Sequence, residues 1–583
     1  HAAPTAFSPT IALTETIAPG GFVPVGAAVF PTTADAHDPA LAIQPDSTDP
    51  WLAATRSDRI VVSNYRSTTM NWQQQGGILN RGSANVASNP ALTFAGTNAE
   101  TPWVAWQEDV GGVSLINASS FNGATWNLTP LLNRDPAHSA SQPMIIAGAT
   151  VTGAVPLPWV TWVEEDDAGT AQLVVSRAVP DNRVQGGFAW VAVGGTLNLA
   201  PTRPATAPDL AFAGSAQTVP WVVWRETGGA QVERIYAKRW DGSVWRAVGR
   251  QEGCGDAVAC ALNSNPNVDA SGVRIAAGTL PNESVAMPWL VYQEVGLAGQ
   301  QEIRVLRLDP GDPGVADDDR LIPVGGAVNA QCLGNAGVSA AAANNVDVRS
   351  AGLRDASATA SADAVSGGSA REPDIYFVGH VPHVTWVEQH GPLATLYVCH
   401  LADARSGLER WDLDTVDGVS PNLAPAAQPQ LAANATTPYI TWQETLTDTT
   451  IYVARRSPAG PAWGANFPAL LTDIAAGPPV ASSAVDAAAV QQPEVRSASV
   501  PLVTAAYHVD GVADLEEVQL QLLPRNAATA TVPALYARYV ISDNLLYVQD
   551  PERPGNFFPP VTPGTAGSNI NTPLVTVEPS KIR

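Results

Sequence analysis

Pro102-Trp103-Val104-Ala105-Trp106-Gln107-Glu108 recurs with small changes along this 583-residue chain: PWVTWVE at 158–164, PWVVWRE at 220–226 and PWLVYQE at 288–294. PHVTWVE at 382–388 and PYITWQE at 438–444 follow, and PWLAATR at 50–56 is a degenerate first copy. Aromatic and β-branched residues dominate the phrase, with an aliphatic third position between two aromatic-prone ones, as in a strand buried on both faces.

Working outward, each phrase leads into a second β-rich run, such as Ile235-Tyr236-Ala237-Lys238-Arg239, then a turn and a tryptophan. Asn122-Gly123 before Trp126 and Asp241-Gly242 before Trp245 are dipeptides that tolerate the positive φ of a tight hairpin. Phrase tryptophans include Trp106, Trp162, Trp224, Trp386 and Trp442, and turn tryptophans are Trp72, Trp126, Trp190, Trp245, Trp411 and Trp463. Sixteen of the 17 tryptophans fall on these two positions, only Trp240 lying outside, which reads as a periodic core rather than a ligand cage. A corner such as Leu79-Asn80, Leu132-Asn133, Leu197-Asn198 or Leu262-Asn263, then a short apolar run such as Pro90 to Phe94, completes a four-strand unit.

Phrases start 52 to 68 residues apart except for one step of 94 from Pro288 to Pro382. Four-stranded units at that spacing predict an all-β, seven-bladed β-propeller over residues 21–490, after an N-terminal extension at 1–20. The long step predicts an insertion at about 327–370, where Ala, Ser, Gly and Asn cannot build a core. Gly21-Phe22-Val23-Pro24-Val25-Gly26 matches fourth-strand text elsewhere, such as Val191 to Gly195. It is therefore expected to close the seventh blade as its fourth strand, removing the open edges of the ring.

From about Val495 the phrase stops and alternating runs such as Val518 to Leu522 and Leu535 to Val540 take over. These predict a small β-sandwich over 495–583. With its Tyr507 to Asp514 and Asn544 to Asp550 segments it resembles immunoglobulin-like modules of bacterial surface proteins.

A formal charge of −23 repels a nucleic-acid backbone or an anionic membrane surface, and no basic patch offsets it. The chain opens at His1 with a small-residue and proline segment and contains no 18-residue apolar run. It reads as a secreted or cell-surface protein whose signal peptide has been removed, without membrane insertion. Cys254, Cys260, Cys332 and Cys399 admit two disulfides, Cys254 with Cys260 and Cys332 with Cys399; other pairings or free thiols stay open.

Over roughly residues 20–490 the phrases resemble the secreted bacterial propellers with sialidase-like and lectin-like repeats, a resemblance that implies fold rather than activity. Trp240-Asp241-Gly242-Ser243-Val244-Trp245 only partly matches the sialidase Asp-box, and no Phe-Arg-Ile-Pro segment is present. Glu108, Glu164, Glu226, Glu294, Glu388 and Glu444 share one phase, and one identical group per blade is expected to be structural. His380, His383, His390 and His400 cluster in one unit without a metal-ligand spacing. Asp309 to Asp319 and Glu164 to Asp167 are where calcium would be sought, but neither has EF-hand spacing, and solvated turns are preferred.

No nucleophile motif, phosphate loop or metal-type cysteine pair stands out, so no catalytic, cofactor or metal residue is assigned. The first expectation is therefore a non-enzymatic surface protein, its propeller a rigid platform contacting other surface proteins or copies of itself. A glycan-binding, lectin-like propeller is the alternative, and a sialidase-like glycoside hydrolase stands last because it needs an asymmetric acidic cleft.

Overall fold

The computed structural model describes residues 22–456, apart from short internal gaps and residues 334–368, and beyond them 517–522, 535–540, 545–548, 557–562, 570–571 and 576–577. Seven four-stranded antiparallel sheets make the propeller. Blade 1 runs Ala36–Ala42, Trp51–Arg56, Arg59–Arg66 and Asn71–Gln74; blade 2 runs Ala87–Ala95, Thr101–Val110, Val113–Phe121 and Trp126–Leu128. Blade 3 is Ala140–Gly148, Leu157–Glu165, Ala171–Pro180 and Phe188–Ala192, and blade 4 is Ala205–Ala213, Val219–Thr227, Glu233–Trp240 and Trp245–Ala247. Blade 5 is Ala270–Gly278, Met287–Val295, Gln301–Asp309 and Arg320–Pro323, and blade 6 is Ser369–Val378, Val381–His390, Leu393–Asp403 and Arg410–Leu413.

Blade 7 takes three strands from Ala426–Ala433, Pro438–Thr445 and Thr449–Arg456 and its fourth from Phe22–Pro24, where Phe22 pairs with Arg456. The expected N-terminal closure is thus observed. First strands of successive blades contact one another around a closed ring, so they form the inner wall.

The repeated phrase is the second strand of every blade, buried on both faces: Trp106, Trp162, Trp224 and Trp386 are fully buried, and Trp442 almost so. A tryptophan at i and a glutamate at i+2 share a strand face. The indole Nε1 of Trp106 accordingly donates to Glu108 at 3.0 Å, that of Trp162 to Glu164 at 2.9 Å and that of Trp224 to Glu226 at 2.7 Å. Trp386 and Trp442 donate likewise to Glu388 and Glu444. The carboxylates reach back to the preceding blade: Glu108 accepts from the backbone N–H of Arg81 and Gly82, Glu164 from Arg134 and Asp135, and Glu226 from Leu199 and Ala200. The corner asparagines are equally structural, Asn80 and Asn133 accepting the N–H of Ile60 and Ile116.

Turn tryptophans lie on the fourth strands of blades 1 to 4 and 6 and tie each of these to the blade before. Trp72 donates to Val25 O, Trp126 to Gln75 O, Trp190 to Thr129 Oγ1, Trp245 to Val193 O and Trp411 to Val324 O. Trp463 lies outside the described residues. The indoles are received by glycines: Gly76, at φ +67°, would place a Cβ 2.8 Å from Trp126 Cδ1. Gly76→Ala combines a left-handed backbone with that clash and is expected to lower stability by about 1–3 kcal/mol in chemical denaturation.

Disulfides join Cys254 to Cys260 and Cys332 to Cys399. The second bridges residues 328–333, which are helical, to the third strand of blade 6. Most of the expected insertion, 334–368, lies outside the described residues, as do 457–490 at the expected end of the propeller. In the C-terminal unit, Glu517–Leu522, Leu535–Val540 and Leu545–Val548 form a three-stranded antiparallel sheet, and Ile570–Asn571 pairs with Thr576–Val577. Among the described residues no helix is long and apolar enough to cross a membrane.

Candidate functional site on the inner strands

Each first strand carries a second repeat, alanine, two residues, then proline in six of the seven: Ala36 to Pro39, Ala87 to Pro90, Ala140 to Pro143, Ala205 to Pro208, Ala370 to Pro373 and Ala426 to Pro429. Blade 5 has Val273 in place of proline. A β-bulge falls here in every blade, with Asp38, Asn89, Gln142, Ala207, Gly272, Glu372 and Gln428 at positive φ. The innermost strand has no partner on its axial side, and proline removes one of the donors that would be left open there.

Side chains from neighbouring blades satisfy the left-handed residues. Gln428 Oε1 accepts from Asp38 N at 3.1 Å, Asp38 Oδ2 from Asn89 N at 3.2 Å, Gln142 Oε1 from Ala207 N at 2.7 Å and Glu372 Oε2 from Gln428 N at 2.6 Å. Gln107 and Gln293, from second strands, accept from Gln142 N and Glu372 N. These contacts hold six non-glycine residues in a conformation that costs about 1–3 kcal/mol each when unsupported.

The next position breaks the symmetry. The first paired residue after the bulge is Ala40, Ala91 and Met144 in blades 1 to 3, but Asp209, Arg274, Asp374 and Gln430 in blades 4 to 7. Asp209 is 6% exposed, and Arg274 and Asp374 are partly buried. Asp209 Oδ2 accepts from Ile275 N of blade 5 at 2.9 Å, its Oδ1 from Leu210 N at 2.9 Å, and Asp374 Oδ2 from Leu431 N of blade 7 at 2.6 Å. Two carboxylates are thereby held on either side of the blade that carries Arg274.

Burial pushes the Asp374 carboxyl up to about 6; the Arg274 guanidinium opposes that shift and the nearby Asp209 charge adds to it. Asp209 is also raised, by burial first, with Arg274 again opposing. Two like charges in one low-dielectric wall ionise in sequence rather than together. Asp374, raised to about 6, therefore keeps a protonated fraction in mildly acidic solution and can donate that proton, with Asp209 two blades away.

These residues escaped the sequence reading because it aligned the tryptophan phrase and not the first strands. Stacking the seven first strands on their shared alanine would have exposed Asp209 and Asp374 at once.

The other sequence candidates separate. His383 and His400 face each other across the strand pair, ring centroids 5.8 Å apart, and His400 Nδ1 lies 2.9 Å from Asp414 Oδ1, which Arg456 also contacts at 2.9 Å. His380 instead meets Thr279, and His390 ends its strand. Asp166 caps its own turn through Ala168 N and Thr170 N, and Asp309 and Asp319 pair with Arg320 and Arg239, while 310–318 lie outside the described residues. Among the described residues no group of three or more His, Cys, Asp or Glu side chains is placed to hold a metal ion.

Glu388 departs from its equivalents. The corner is kept at Val328-Asn329, where Asn329 accepts the N–H of Ile303, but the chain runs on as helix to 333; Glu388 Oε1 has no hydrogen-bond partner, and burial pushes the carboxyl up to about 7 against the hydrogen bonds of Trp386 and Asn329. A carboxyl raised from 4.5 stabilises the fold below that pH relative to its ionised form, and this contribution is lost as pH rises through 7. Glu388→Gln is therefore expected to raise stability by up to about 3 kcal/mol at pH 8 and by little at pH 4.5, read as the difference between melting curves at the two pH values.

No described protein family and no curated protein sequence matches the chain. Among solved structures it is similar to the α-L-arabinanase of Cellvibrio cellulosa complexed with arabinohexaose, at 12% identity over 49% of this chain and 95% of that one, with a TM-score of 0.27. It is similar to a thermostable family-43 glycoside hydrolase, at 13% identity over 53% of this chain and 96% of that one, TM-score 0.30. The sialidase of Trypanosoma rangeli in complex with the inhibitor DANA is 9% identical over 76% of this chain and 58% of that one, TM-score 0.33.

These findings correct the expectation of a non-enzymatic surface platform: the propellers that resemble this chain are glycoside hydrolases and a sialidase. The expectation arose because the repeated glutamates, the histidine cluster and the acidic loops were weighed, while the first-strand residues Asp209, Arg274 and Asp374 were not. At these identities and TM-scores the likeness assigns no activity, which has to rest on the chain's own residues.

Proposed function

We propose that this chain is an extracellular carbohydrate-processing propeller that cleaves a glycosidic bond at its inner wall, using Asp374 as proton donor and Asp209 as the charged partner. The observation that carries this reading is the placement of Asp209, Arg274 and Asp374 at one position of three consecutive blades, where blades 1 to 3 have Ala40, Ala91 and Met144. Glycoside hydrolysis needs two carboxyl groups in different protonation states. Asp374 gives its proton to the departing oxygen, the glycosidic bond breaks, and water adds to the sugar carbon with Asp209 stabilising the positive charge and taking up the water proton. Arg274 keeps the pair from becoming neutral together.

Two disulfides support an oxidising compartment, and the C-terminal sheet supports an immunoglobulin-like module at 495–583 as a contact or spacer. Glycans are the proposed partners, and no cofactor is called for. The test is release of new reducing ends from a panel of neutral and acidic polysaccharides. Release by the wild type that disappears in both Asp209→Asn and Asp374→Asn is expected; no release from any member, or release untouched by both changes, overturns the reading.

A further inference from the structure

Blade 5 breaks the repeat twice. Tyr292 replaces the tryptophan that elsewhere donates to the phrase glutamate, and Leu321 stands where blade 4 has the turn residue Trp245. Tyr292 reaches Ser264 Oγ at 3.1 Å and Leu262 O at 3.3 Å in the corner of blade 4, and Leu321 donates its backbone N–H to Gly249 O at 2.8 Å. A cavity of about 240 Å³ opens between the two blades, lined among others by Arg250, Ser264, Tyr292, Arg304, Gly325 and Gly326. Tyr292 and Arg304 are direct cross-strand partners and so share a sheet face. It is the face turned to blade 4, where Tyr292 and Leu306 pack with Val248 and Leu262.

The same cross-strand position holds ring on ring in blades 4, 6 and 7: Trp224 with Tyr236, Trp386 with Tyr397 and Trp442 with Tyr452, centroids 5.8, 5.8 and 5.7 Å apart. In blade 2 it holds Trp106 and Asn117, and Arg81 from the preceding corner gives Nε to Asn117 Oδ1 at 2.7 Å and Nη2 to Thr129 O at 2.7 Å. Blade 5 also receives an arginine from the blade before it, Arg250, whose Nη1 lies 3.2 Å from Ser264 Oγ and 3.4 Å from Leu262 O. The place of Asn117 is taken by Arg304, so an acceptor is exchanged for a second cation. Arg304 pairs with Glu302 through Nη2, and Glu294 Oε1 is taken by Asn265 N at 2.9 Å. Among the described residues no carboxylate pairs with Arg250. Burial, then the Glu294 charge, push the Tyr292 hydroxyl up to about 12, and the charges of Arg250 and Arg304 both oppose this from nearby.

We propose that the cavity between blades 4 and 5 binds a small oxyanion between Arg250 and Arg304, either the carboxylate of an acidic sugar or a free inorganic oxyanion. Its oxygens would accept from both guanidiniums, supplying what Asn117 Oδ1 and Thr129 O supply to Arg81 in blade 2. The cavity falls below the usual range of small-molecule sites, about 300–1,000 Å³, so it suits one charged group or a single sugar unit rather than a chain of sugars. The net charge of −23 repels anions from a distance, but over a Debye length of about 10 Å at 0.1 M salt the two local cations decide. The site shares no residue with the inner-strand carboxylates and stands whether or not these cleave anything.

The test is isothermal titration of the full chain, at neutral pH and constant ionic strength, with sodium sulfate, sodium galacturonate and galactose. Sulfate or galacturonate is expected to bind with a dissociation constant of about 10 mM or tighter. Galacturonate bound more tightly than sulfate assigns an acidic sugar, the reverse assigns an inorganic oxyanion, and either upholds the site. Arg304→Asn, which restores the acceptor of blade 2, and Arg250→Gln are each expected to weaken binding about tenfold or more, while Arg274→Gln on the inner wall leaves it within about twofold. Arg250→Gln, at a partly exposed position, keeps the test readable if Arg304→Asn does not fold. Absence of anion binding up to about 50 mM, galactose bound as tightly as galacturonate, indifference to both groove changes, or loss on Arg274→Gln would each overturn the proposal.

Discussion

Asp374→Asn is expected to lower the rate of glycosidic cleavage by about 10²–10⁴-fold, the usual contribution of a positioned proton donor. The asparagine keeps one oxygen to accept from Leu431 N, so the tie between blades 6 and 7 survives. Stability should then change by no more than about 1–2 kcal/mol. A residue that merely joined the blades would show the reverse, a lower melting temperature with the rate per folded molecule retained. The pH profile supplies a second readout. With the Asp374 carboxyl near 6, its protonated fraction falls as pH rises through that value, and wild-type activity should fall with it. In Asp374→Asn the alkaline limb should vanish. A wild-type profile flat from pH 5 to 8 would remove Asp374 from the role.

The largest loss of stability is expected at the tryptophan-glutamate clamp. Trp162 is fully buried and donates to Glu164, which itself holds the N–H groups of Arg134 and Asp135 in blade 2. Trp162→Ala removes a large packed side chain, costing about 3–5 kcal/mol, and leaves a buried carboxylate short of one donor. Trp162→Phe separates the two effects, retaining most of the volume while deleting the hydrogen bond, and should lose about 1–3 kcal/mol. Guanidinium unfolding midpoints read both. If Trp162→Ala cost under about 1 kcal/mol, the clamp would not be what holds adjacent blades.

The same contrast shows why the two classes of carboxylate differ in what they can do. Glu164 accepts from several donors between blades, and Glu226 does so too although burial raises its carboxyl. Asp209 and Asp374 lie in the inner wall with burial raising both carboxyls and the Arg274 charge opposing, and the Asp209 charge adds to the rise at Asp374. Glu388 differs where the chain after its corner turns helical: one oxygen has no hydrogen-bond partner and burial raises the carboxyl.

Repetition made the architecture legible without coordinates. Seven copies of one buried strand, the turn tryptophans and the fourth-strand text at Phe22 to Gly26 determine the blade count and the closure, because each blade must bury the same faces as its neighbours. The glutamate positions were readable as structural for the same reason. The candidate site was not, since its residues stand 65 and 100 positions apart, Asp209 to Arg274 and Arg274 to Asp374, and meet only when first strands line a common axis. His383 and His400 likewise come together through strand register rather than spacing. Local pattern determines which face a strand buries; only ring closure decides which unpaired edges, and which charges placed to cap them, are brought around one centre.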